Sequence, residues 1–100
     1  MKRTATVFGT SHYSSEPTEF RGKIEFELRE DVVYYTWRID SAGGDFLGSK
    51  SQPMSLRTIP RESDPFKLAL VHAVESIKRY RVNRVHVFKV FGTQWEDVRT

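Results

Sequence analysis

Phe20, Gly22, Ile24, Phe26 and Leu28 alternate with Arg21, Lys23, Glu25, Glu27 and Arg29. A strict period of two is the mark of an antiparallel strand with one buried and one wet face. Glu30-Asp31 forms the turn, and residues 32–39 run back as the partner strand. Val33, Tyr35, Trp37 and Ile39 share the inner face of that partner, by the same alternation. The wet face of the hairpin carries both charge signs, which discourages edge-to-edge pairing. Ahead of it, residues 4–9 (Thr-Ala-Thr-Val-Phe-Gly) read as a short strand, and residues 10–19 as a loop.

The period changes after residue 63. Asp64 is placed to cap a helix, and Pro65 fits its first turn, where no N–H partner is needed. At 100° per residue, Phe66, Ala69, Leu70, Ala73, Val74, Ile77 and Tyr80 make one apolar stripe. Lys67, His72, Glu75, Lys78 and Arg79 fall opposite. Leu68 and Val71 break the pattern, because they project among those charges. Asn83 can reverse the chain. Val85, Val87, Phe88, Val90 and Phe91 then form a strand apolar on nearly both faces, and such a strand is expected at the centre of a sheet. Residues 41–62 read as a long loop interrupted by Pro53 and Pro60, with Met54 to Ile59 as a brief strand, and residues 92–100 as a tail. The predicted fold is α+β, a single domain over 1–100. A mixed, mainly antiparallel sheet in the order β-β-β-loop-α-β packs on one amphipathic helix.

Composition narrows the function classes. Thirteen aromatic residues are enough to fill a core of this size, and the absence of cysteine excludes disulfides and thiolate chemistry. No apolar run approaches the ~20 residues that span a bilayer, and the N-terminus lacks the apolar core of a secretory signal. No membrane partner and a cytoplasmic address are the expectation. The net charge of +3 is unevenly placed. Arg57, Arg61, Lys67, Lys78, Arg79, Arg81, Arg84 and Lys89 form a basic block, opposed over the same stretch only by Glu62, Asp64 and Glu75. Such a block suits nucleic acid or an acidic protein, and equally a solvated face.

Candidate chemistry is sparse. The Gly-rich segment Gly43 to Ser51 suggests a phosphate loop, but Ser49 separates Gly48 from Lys50, and Gln52-Pro53 follows where a helix must open. His12 lies among serines without an orienting third group. His72 and Glu75 are three apart on the outer helix face, where a solvated pair is expected, and two exposed ligands do not make a metal site. His86 alternates with Val85 and Val87. No cofactor is expected.

The run Lys67–Phe88 (KLALVHAVESIKRYRVNRVHVF), preceded by three antiparallel strands, resembles the first half of a ribonuclease H-like fold. The resemblance implies a nuclease with acids in the first strand, early in the helix and at the end of the strand after it. Here those places hold Phe8-Gly9-Thr10, Lys67 and Lys89-Val90-Phe91, while Asp40 and Asp64 stand elsewhere. Paired carboxylates are what hold catalytic magnesium.

Three readings follow. The favoured one is a small non-enzymatic binding protein, an inhibitor or adaptor of phage or accessory type. It would dock on a larger, nucleic-acid-processing protein through Leu68, Val71, His72 and Glu75. Apolar side chains inside a charged surface are common interface anchors. The second is a module that binds nucleic acid, directly or through a partner, with the eight basic residues. The third is a divergent nuclease of the ribonuclease H-like fold.

Overall fold

The computed structural model describes residues 1–12, 17–57, 64–80 and 87–96. Five strands and one helix follow in order: β1 (Lys2–His12), β2 (Pro17–Arg29), β3 (Val32–Ser41), β4 (Phe46–Ser55), α1 (Pro65–Arg79) and β5 (Val87–Trp95). The strands make one sheet, ordered β4-β3-β2-β1-β5, and every neighbouring pair is antiparallel. The α+β class read from the sequence is present, with the sheet antiparallel throughout rather than mixed.

The hairpin pattern works as expected. Ile24 stands opposite Trp37, and Phe26 opposite Tyr35. Directly opposed residues share a face, so these four make a row beneath the helix. The turn between β2 and β3 puts Glu30 in the left-handed region, with φ of 54°. On the helix, Asp64 Oδ1 accepts from the backbone N–H of Phe66 (3.0 Å) and Lys67 (3.4 Å). Phe66, Ala69, Ala73 and Ile77 are buried, each a turn apart along the sheet-facing line. Aromatic rings fill the layer between. Phe26 lies 5.3 Å from Trp95 and 6.5 Å from Phe66, and Trp37 meets Tyr80 edge-on at 5.0 Å. The Trp37 indole N–H donates to Ser76 Oγ (3.1 Å), so the one polar atom of that buried side chain is satisfied.

Three expectations are corrected. Residues 41–62 are not a plain loop: they contain β4, ten residues paired with β3 from Val32↔Ser55 to Asp40↔Phe46. The inward positions of β4 are Gly48, Lys50, Gln52 and Met54, of which only Met54 is a large hydrophobe, so hydropathy gave no alternating signal. The strand after the helix is not central. β5 is an edge, and it extends to Trp95, into the stretch read as a tail. Its apolar run is accounted for by a bulge. Val90 pairs with Gly9 and Gly92 with Phe8, which leaves Phe91 as the extra residue, 69% exposed. The close approach there requires glycine in β1, since a Cβ on Gly9 would stand 1.8 Å from the Lys89 carbonyl oxygen. Asn83, Val85 and His86 lie outside the described residues, as do Ile59 and Pro60.

The sheet carries the helix on one face only. α1 packs chiefly on β5, β3 and β2. Two surfaces result: an open sheet face on the far side, and a trough where α1 stops short of β4.

Candidate functional site

The trough between α1 and β4 has a volume of about 740 Å³. One wall is the helix face bearing Leu68, Val71, His72, Glu75, Ser76 and Arg79. The floor and other wall are Lys50, Gln52 and Met54 of β4, and Tyr80 closes one end. All four residues read from the sequence as a docking face therefore line one groove. Helical geometry explains this. Positions 68, 71, 72, 75, 76 and 79 recur at three and four residues, one stripe beside the buried line. β4 is the edge strand beside which this stripe stands.

Their environments differ from the simple outward picture. Val71 is 59% exposed, as expected of an unpartnered apolar side chain. Leu68 is half-buried and packs against the core cluster instead of pointing away from it. His72 is not a solvated partner of Glu75. Its Nδ1 lies 2.7 Å from the Tyr35 hydroxyl, and the two rings meet edge-on at 5.5 Å. Glu75 accepts instead from Lys78 Nζ at 3.4 Å.

Tyr35 is the residue that sequence reasoning missed. Its side chain is buried beneath the helix, and its hydroxyl reaches the trough-lining Gln52, donating to Oε1 at 2.7 Å. One hydroxyl proton cannot serve both neighbours. With that proton on Gln52, His72 must donate from Nδ1, so its Nε2 is left to face solvent or a bound group. Burial pushes the Tyr35 hydroxyl above its ordinary pKa, with the Ser76 hydroxyl acting weakly the other way. The arrangement β4–Tyr35–α1 is a polar tie across the groove floor. Tyr80 adds a second tie, because its ring lies where a Cβ on Gly48 would come within 2.4 Å. In the sequence, Tyr35 looked like any other inward residue of an alternating strand, and only the helix position gives its hydroxyl a partner.

The basic block is not gathered into one surface. Lys67, Lys78 and Arg79 are exposed on α1. Lys89 stands opposite Thr10, on the open sheet face away from the helix. Arg57 donates to Asp31 Oδ2 (3.1 Å) beside the β2–β3 turn. Arg61, Arg81 and Arg84 lie outside the described residues. The acids weighed for metal binding are also apart. Asp64 is engaged at the helix cap, and Asp40 sits on the open face opposite Arg21, its Oδ1 3.3 Å from Arg38 Nε. Among the described residues, no group of three or more His, Asp or Glu side chains is placed to share an ion. His12 Nε2 lies 3.2 Å from Thr10 Oγ1.

A larger hollow of about 1060 Å³ lies on the open sheet face around Phe8, Arg21, Lys23, Asp40 and Phe91. Its lining residues come from strands, from the β3–β4 turn and from Glu96 just past β5. Arg21 stands opposite Asp40 there, and Lys23, Glu19 and Glu96 also line the hollow, so it carries charges of both signs. The helix-side trough joins the exposed Val71 side chain, a histidine bonded to buried Tyr35, and the cations Lys50 and Arg79. No helix of the described residues is long and apolar enough to cross a membrane. Comparison with protein-family models, with curated proteins and with solved structures returned no match.

Proposed function

We propose that this is a small non-enzymatic binding protein, an inhibitor or adaptor, that docks on a larger protein through the groove between α1 and β4. The observation that carries this reading is the exposed Val71 standing beside half-buried Leu68 and buried Met54, in a walled trough with Lys50 and Arg79 at its rim. Apolar anchors in a water-excluding centre, ringed by charge, are what partners use. The basic surface of α1 favours an acidic partner, and a protein that itself handles DNA or RNA is the class in view. Direct nucleic-acid binding is the weaker reading, because the described members of the basic block divide between the two faces of the sheet.

The test is capture of a partner from nuclease-treated lysate, followed by measurement with the purified partner. Val71→Asp is the cleaner probe, since Leu68 also supports the core. It is expected to weaken the complex at least tenfold while leaving the melting temperature within a few degrees. Lys78→Ala with Arg79→Ala is expected to act mainly on association rate and its salt dependence. A complex unchanged by Val71→Asp refutes this docking face.

A further inference from the structure

Resting on that docking reading, we infer that the groove takes an extended, acidic segment of the partner, which adds as a sixth strand to the free edge of β4. The first support is the edge itself. β4 ends the sheet, and among the described residues nothing pairs with its outer side. A proline sits in an edge strand without loss when its nitrogen points away from the neighbouring strand. Leu56 N–H donates to Asp31 O (2.8 Å) at the end of the β3–β4 ladder, so by the two-residue period Pro53, opposite Tyr34, turns its nitrogen outward and meets that condition. The two-residue period then turns the backbone N–H and C=O of Ser49 and Ser51 outward as well. The ladder is irregular between Ile39 and Asp40, which leaves Leu47 unpaired. The regular, pairable edge is therefore Gly48 to Gln52, about 17 Å of strand. Pro53 beyond it lacks a donor, which limits longer, unspecific pairing.

The second support is what an added strand would meet. Its alternate side chains would rise beside Lys50, Gln52 and Met54, and against Val71 and Leu68 of the helix. Strand addition of this kind draws affinity from backbone bonds and specificity from pockets for every second side chain. The other edge, β5, is a poorer template, because the bulge at Phe91 interrupts its ladder.

The third support is charge. The charged side chains that line the trough are Arg79 and Glu75 of the helix and, from β4, Lys50. The one acid among them is Glu75, already engaged by Lys78. An added strand with acidic residues between its apolar ones complements that rim, and a basic one meets repulsion.

The experiment uses the full chain and capped ten-residue synthetic peptides that alternate glutamate with valine or leucine. Binding is read by fluorescence anisotropy and by amide shifts in nitrogen-15 spectra. The acidic peptide is expected to shift the Ser49 and Ser51 amides and slow their hydrogen exchange at least tenfold. The same peptide with lysine for glutamate should bind at least tenfold more weakly. N-methylation of alternate residues in one phase should cost at least tenfold, and in the other phase less than twofold, since only one edge of the added strand faces β4. Equal effects of both phases, equal binding of the lysine peptide, or no shift at Ser49 and Ser51 up to millimolar peptide would each overturn strand addition. The partner complex separates the two levels of failure. If the peptide results fail but Val71→Asp still breaks the partner complex, docking stands and the strand mode falls. If Val71→Asp leaves the complex intact, the docking reading itself falls.

Discussion

Replacing Ile77 with alanine tests the helix phase on which the groove depends. Ile77 has no exposed surface and belongs to the buried line Phe66–Ala69–Ala73–Ile77. Ile77→Ala removes three carbons, worth about 2.4 kcal/mol in transfer terms at ~0.8 kcal/mol per methylene. A cavity adds to this wherever the helix and sheet cannot close, and measured losses for such changes run about 2–5 kcal/mol. Alanine returns a few tenths of a kcal/mol in helix propensity. A net loss of about 3 kcal/mol is expected, against the ~5–15 kcal/mol that holds a domain of this size. That corresponds to roughly 12–24 °C in melting temperature. Glu75→Ala is the control. It removes one exposed pair with Lys78 and should change stability by about 0.5 kcal/mol or less. Urea unfolding followed by the fluorescence of buried Trp37 gives both values from the midpoint, with the slope as a check that the same surface is exposed. If the two variants unfold within about 1 kcal/mol of each other, the helix is not rotated as described, and Val71 and His72 do not face β4.

Two further outcomes follow from the geometry. Glu30 holds a left-handed φ of 54° in the β2–β3 turn, so Glu30→Gly should stabilise the protein by about 0.5–1 kcal/mol, and an unchanged or lower urea midpoint would argue against that turn. Tyr35 has its pKa raised by burial above the ordinary 10.0, so the folded state keeps this proton at a pH where the unfolded chain has lost it. Its contribution is fully present below the unfolded value and is lost as pH rises through the higher folded value. The stability difference between wild type and Tyr35→Phe should thus be flat up to about pH 10 and then shrink, and parallel curves through that range would refute the buried, hydrogen-bonded hydroxyl.

The alternation from Phe20 to Ile39 and the helical stripe from Phe66 to Ile77 were legible in the sequence, as was the Asp64 cap. In each case a large free energy of burial, or a local hydrogen bond, acts on residues close in the chain. Period two and period 3.6 are then imprinted directly on residue type. Leu68 and Val71 were legible for the same reason, as exceptions to a clear stripe. The strand they stand beside was not. β4, an edge strand, has Gly48, Lys50 and Gln52 at its inward positions, so no hydrophobic alternation marks it. The edge position of β5 was hidden as well, since Val90 and Phe91 read as two apolar faces until the bulge opposite Phe8-Gly9 sets Phe91 outside the ladder. The meeting of Tyr35, Gln52 and His72 spans 37 residues of chain between Tyr35 and His72. No local propensity encodes it. It exists because the hairpin, the edge strand and the helix meet when they bury their apolar side chains in one core.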